Sequence, residues 1–184
     1  MTTHQALLKY KNEADIIGRL LAGYTDLELS LLNCVQIVRE DFDTVLKVMF
    51  RTRGETARIN VADALGRQYY HELGLGGQFE LAICAMRYCL RIRNDYAHCV
   101  WWDDLSDQLA FANIEEVAKS NELQRDFGSL TTLHVNVSQL CEKEKYFQYT
   151  DDLLGWVNFE GRHLAGKIPS NVRVFPEPLA QPSL

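Results

Sequence analysis

The chain has 184 residues, of which 47% are hydrophobic and 24% charged, with a formal net charge of −6. That suits one domain of ordinary size, or one with a small appendage, and it excludes wholesale disorder, a collagen-like fibre and a coiled-coil rod. No stretch approaches the roughly 20 uncharged apolar residues that span a bilayer, and Met1 to Lys11 lacks the apolar core of a signal peptide, so a cytoplasmic protein without membrane contact is expected.

The acidic total argues against a sequence-independent grip on nucleic acid. It hides a contrast: residues 51–93 carry seven Arg against four acids, whereas residues 94–126 carry eight acids against two bases. Cys34, Cys84, Cys89, Cys99 and Cys141 are odd in number and show no CxxC spacing. Neither a disulfide framework nor a zinc site is suggested, and free, mostly buried thiols are expected, with no metal and no cofactor.

From Lys11 to Val38, apolar or small residues at Ile17, Leu20, Tyr24, Leu27, Leu31, Cys34 and Val38 alternate steps of three and four, which predicts a long amphipathic helix. A shorter helix should follow Asp41, placed as its N-cap, and break at Arg53-Gly54. A third should run from Glu55 to Leu73 and end at Gly74, a residue that tolerates a left-handed cap. The run Gly74, Leu75, Gly76, Gly77 reads as a turn, because it lacks the spacing and preceding strand of a phosphate-binding loop.

A fourth helix, from Gln78 to about His98, should lead into a hairpin over residues 99–118, built from a Val-Trp-Trp run and the run Leu109 to Val117 about a polar turn. After a polar linker, Leu133, Val137, Leu140, Phe147, Leu154, Val157 and Leu164 predict one long or broken helix ending near Gly166. All four prolines fall in the last 16 residues, so residues 168–184 should form an extended tail, mobile or packed as a strap. The expected architecture is therefore mostly α: a bundle of four to five helices over residues 1–167, with a small β-hairpin inserted before the last long helix.

At about 100° per residue, the fourth helix gathers Phe79, Leu81, Ala82, Ile83, Ala85, Met86, Cys89, Leu90, Ile92, Tyr96 and Ala97 into an apolar arc of about 200°, and Arg93 falls near its middle. The opposite arc holds ample polar surface. An unpaired buried charge costs several kcal/mol, so Arg93 requires a carboxylate partner, a polar cleft or an anionic ligand. Asn94 and His98 are four apart, on one helical face beside it. Together these residues read Arg93-Asn94-Asp95-Tyr96-Ala97-His98.

At these residues the chain resembles the HEPN superfamily, and its RNxxAH form is similar to the mannitol operon repressor family and related bacterial proteins. The resemblance covers residues 10–100 and is specific over 87–98. It implies a helical bundle and, for the active members, a metal-independent cut of RNA in a cleft formed by two protomers, with Arg93 and His98 in the matching positions. A homodimer, an RNA substrate and a toxin or defence role with an antitoxin or regulatory protein as partner belong to the same expectation. The repressor-like relatives imply the other reading, a non-enzymatic transcriptional regulator or protein-interaction module in which the same residues are structural.

The residue types suit the chemistry. Without metal, a site must help the ribose 2′-hydroxyl attack its own phosphate, and an imidazole titrating near neutrality can take that proton. The Arg93 guanidinium would hold the charge growing on the phosphate oxygens, and Asn94 would orient the imidazole or a phosphate oxygen. A twofold axis would double a sparse site. The alternative is a His98 that caps the last helical carbonyls with Asn94 bonded to it and no catalysis.

Other features point to packing. His71-Glu72 lacks the second His of a zinc-protease helix, Tyr69 and Tyr70 suit helix packing, and Trp101 and Trp102 should face opposite sides of a strand. The run Glu142-Lys143-Glu144-Lys145 reads as a solvated helix face.

Overall fold

In the computed structural model, which describes residues 2–121, 123–126, 128 and 130–184, the chain is mostly helical with a small antiparallel sheet before the last long helix. The order is α1 (Thr3–Lys9), α2 (Lys11–Arg39), α3 (Phe42–Arg51), α4 (Glu55–Glu72), α5 (Gly76–Ala97), β1 (Cys99–Trp102), β2 (Leu109–Asn113), α6 (Ile114–Lys119), β3 (Leu133–Val135) and α7 (Val137–Leu164). Two compact units result: one of residues 1–22, 91–145 and 182–184, the other of 23–90 and 146–181. Among the described residues, no helix is long and apolar enough to cross a membrane.

The predicted helix boundaries hold where a cap sets them. Asp41 accepts from the Thr44 amide at 3.1 Å and starts α3. Gly74, at φ +76°, ends α4 with paired bonds from Leu75 N–H to Tyr70 O and from Gly74 N–H to His71 O, at 2.8 and 3.0 Å. Gly166 closes α7 in the same way, with Lys167 N–H on Arg162 O at 2.8 Å and Gly166 N–H on His163 O at 2.9 Å.

The larger helical unit is cored by Leu31, Leu32, Cys34, Ile59, Tyr70, Phe79, Met86, Cys89 and Leu154, all buried. Tyr70 donates its hydroxyl to Cys34 O at 2.9 Å and stacks on Phe79 at 4.5 Å, which gives the expected packing role to this tyrosine. Buried carboxylates are paired: Glu28 accepts from Arg58 at 3.0 Å, and Asp63 accepts from Arg67 at 2.8 Å and Arg87 at 3.3 Å. Three arginines of the positive stretch are thereby committed to ion pairs. Residues 168–181 form an irregular strap, with Phe175 edge-on to Trp156 at 4.8 Å and Asn171 donating to Glu160 at 2.8 Å.

In the other unit, β1, β2 and β3 form an antiparallel sheet in that order, with Trp101 opposite Phe111 and Leu109 opposite Val135. Trp101 is buried against Tyr96 and Phe111, at 5.8 and 5.1 Å, while Trp102 is half-buried, as the alternation of a strand requires. Helix α1 packs on β1: Lys9 meets Asp103 at 2.6 Å, Tyr10 donates to the same carboxylate at 3.0 Å, and the Trp101 amide donates to Thr3 Oγ1 at 3.2 Å.

Five expectations need correction. The turn read over Gly74 to Gly77 ends at Leu75, because Gly76 and Gly77 already form the first residues of α5. The second hairpin arm stops at Asn113, because the Asn113 side chain accepts from the Glu115 and Glu116 amides and turns the chain into α6. The residues read as the start of the last helix, from Leu133, instead form β3, and α7 begins at Val137 after Asn136 and Gln139 bond each other's backbone amides. Helix α1 is additional, set by a Thr2/Gln5 capping box. Of the five free thiols only Cys34 and Cys89 are buried, Cys84 being exposed and Cys99 and Cys141 half-buried.

Candidate functional site

Helix α5 ends at Ala97, so Arg93 lies just before its last turn and Asn94 opens that turn, both half-buried, and His98 stands one residue beyond the helix. Arg93 continues the stripe of Ala82, Met86 and Cys89, all fully buried, but Leu81 at the edge of the apolar arc is 42% exposed, so the buried face is narrower than the wheel predicts. The Arg93 Nη1 donates to Asn94 Oδ1 at 2.9 Å. This bond between neighbours orients both groups and leaves the Asn94 amide NH₂ as a donor pointing away from its own acceptor.

His98 does not join Asn94. Its imidazole Nδ1 lies 3.4 Å from Glu115 Oε1, and both side chains are well exposed, at 40% and 54%. The reason is local: the helical repeat stops at Ala97 and the chain passes directly into β1, so the spacing of four no longer places residues 94 and 98 one above the other. The His98 carbonyl accepts from Ile114 N–H at 3.1 Å, and Cys99 pairs with Asn113, so the backbone at His98 is fixed by the strand pair.

Nor does His98 cap the helix. That role belongs to Asn113, whose Nδ2 donates to the carbonyls of Asn94 and Asp95 at 3.4 and 3.5 Å while its Oδ1 accepts from the Glu115 and Glu116 amides. One side chain therefore stitches the end of α5 to the start of α6, and with it the backbone of Asn94 to that of Glu115, the partner of His98. Sequence reasoning missed Asn113, although an Asn two and three residues before a Glu-Glu pair is a cap signal.

The neighbouring Cys99 thiol donates to the Asp95 carbonyl, and burial pushes it up to about 12, which makes it a packing group and not a nucleophile. Burial also raises Asp95, against the attraction of Lys143 and Arg91. The site thus presents a guanidinium with an amide at one end of a turn and an imidazole with a carboxylate at the other.

No family model, curated protein or solved structure matches this chain.

Lys143 departs furthest from the solvated face expected of the run Glu142 to Lys145. In place of a solvated face, α7 turns it inward, 5% exposed, in the row of Leu140, Phe147, Thr150 and Leu154. Its position three after Leu140 and four before Phe147 was the available signal, of the same kind as that of Arg93.

Proposed function

We propose that the protein is a HEPN-type endoribonuclease that cuts RNA without metal by 2′-hydroxyl attack, with Arg93, Asn94 and His98 as the working groups of a homodimer. The observation that carries this reading is the pairing of His98 with Glu115 beside the oriented Arg93/Asn94 pair. A carboxylate 3.4 Å from Nδ1 favours the tautomer protonated there, whose Nε2 carries the lone pair that accepts the 2′-hydroxyl proton, the arrangement a general base needs. The guanidinium, charged at any working pH, stabilises the phosphorane-like charge, and Asn94 donates to a phosphate oxygen. A second protomer about a twofold axis supplies a second set to the same cleft.

The test is to incubate purified protein with single-stranded RNA and the matching DNA in excess EDTA. The reading expects cut RNA with cyclic phosphate ends and intact DNA, since only RNA carries the internal nucleophile. Cleavage abolished by chelation contradicts it.

The separation of His98 from Asn94, with Asn113 and not His98 capping α5, favours a second reading, a non-enzymatic regulator or interaction module with these residues as polar anchors. An intact RNA pool together with a dimer in light scattering supports that reading over the first.

A further inference from the structure

A cavity of about 460 Å³ lies within the sheet-bearing unit, walled by Tyr96 of α5, Phe111 of β2, Val117 of α6, Leu133 and Val135 of β3, and Lys143 of α7. The walls are largely apolar: Tyr96, Phe111 and Val135 are all buried. Into this lining α7 sets a single buried ammonium. Lys143 Nζ donates to the Tyr96 hydroxyl at 2.6 Å and lies 4.8 Å from the centre of the Tyr96 ring. Among the described residues, no other side chain or carbonyl accepts from it and no carboxylate stands within ion-pair distance.

An ammonium has three donors, and a buried one is costly unless its charge and its hydrogens are met. One donor and the ring face are met by Tyr96. The opposing charge that attracts it is Asp95, also at the cavity, but burial disfavours the ionised form of Asp95 just as burial lowers Lys143. A cavity of this size, apolar with a few convergent polar groups, is of the kind that small molecules occupy. We propose that it binds a small amphipathic monocarboxylic acid, its carboxylate accepting from Lys143 Nζ and the Tyr96 hydroxyl and its apolar body lying against Phe111, Leu133 and Val135.

The charge of the remaining lining narrows the class. Asp95 and Glu116 also border the cavity, as do Ser183 and Leu184, and His134 is engaged by Asp104 at 2.7 Å, so at least two carboxyl groups face one ammonium. A phosphate dianion would meet too much negative charge for one ammonium, whereas a monoanion replaces the missing partner of Lys143. A neutral alcohol of the same shape gains the apolar contacts without the ion pair. This inference is independent of the ribonuclease reading, because it uses neither Arg93 nor His98.

The experiment compares hexanoate and hydrocinnamate with hexanol and hydrocinnamyl alcohol at neutral pH, by calorimetry and by amide chemical shifts. In the wild-type chain each acid should bind at least about tenfold more tightly than its alcohol, with shifts centred on Phe111 and Val135. Lys143→Met should erase the difference between acid and alcohol. If that variant does not fold, Tyr96→Phe serves, and should weaken acid binding several-fold while leaving the alcohols unchanged. Equal affinities of acid and alcohol in the wild-type chain overturn the proposal, as do shifts confined to another surface or no binding of either acid up to about 10 mM.

Discussion

Asn113 holds Asn94: the Asn113 amide donates to the Asn94 carbonyl at 3.4 Å while its own oxygen caps α6. Loss of this side chain should therefore act on stability and on the site together. Asn113→Ala is expected to lower stability by about 1 kcal/mol, the usual cost of an N-cap. Asn113→Asp keeps the cap acceptor for α6 but replaces the donor with a carboxylate oxygen that repels the Asn94 and Asp95 carbonyls, so it should recover part of the stability while loosening His98 and Glu115. Thermal unfolding with hydrogen exchange at residues 94–99 checks both.

Lys143 gives a pH prediction with a definite sign. Burial lowers its pKa below the ordinary value, so above the folded pKa and below about 10.4 the unfolded chain binds more protons than the folded one, and stability contributed by this group rises with pH. At neutral pH the cost of the buried charge is present. Lys143→Met should then be neutral or stabilising at pH 7, with its advantage over wild type shrinking as the pH approaches 10. Denaturant titrations of both chains across that range measure the difference; an advantage that grows with pH contradicts the buried-charge account.

Asp103 shares that sign but acts in the acid range, and it stabilises the fold at neutral pH. Hydrogen bonds from Lys9 and the Leu105 amide, with a further bond from Tyr10, hold its carboxyl below the ordinary carboxylate value. Its contribution is present above about pH 4 and is lost as the pH falls through the lowered folded value. Asp103→Asn should release α1 from β1, seen as faster hydrogen exchange over residues 3–10 at neutral pH, with the helical core protected as before. Unchanged exchange at α1 would show that the apolar contacts alone hold it.

Two glycines give a packing test. An added Cβ at Gly161 would lie 2.7 Å from Ile37 Cδ1 and 3.0 Å from Tyr70 Cε1, both on buried side chains, whereas at Gly18 it meets nothing within 4 Å. Overpacking costs about 1–3 kcal/mol and the helix preference of Ala over Gly returns up to about 1. Gly161→Ala should be destabilising and Gly18→Ala stabilising, as read by chemical denaturation.

Periodicity made the helices legible because their buried faces are continuous: the Ile17-to-Cys34 stripe is buried along its length, and Asp41 and Gly74 stop helices where local chemistry demands it. The short elements escaped. β3 has three residues, two of them exposed, so it carries no alternation to detect, and its place is set by pairing with β2. Within the site, the pairing of Arg93 with Asn94 follows from adjacency, but the partner of His98 lies 17 residues on and is brought there by the hairpin and by Asn113. Lys143 misled for a physical reason: in a run of alternating charge, sign says nothing about which residue faces inward, and only the distances to Leu140 and Phe147 do.

On the proposed function His98 and Arg93 cut RNA, and the direct measurement is cleavage of a single-stranded RNA in EDTA by wild type, His98→Ala and Arg93→Ala, alongside the thermal midpoint of each. The account predicts cyclic phosphate products from wild type and a loss of about a hundredfold or more in both variants. His98→Ala should keep its midpoint, since an exposed imidazole beside a carboxylate contributes no more than about 1 kcal/mol. Cleavage that persists in His98→Ala, or a wild-type chain that leaves RNA intact, contradicts it.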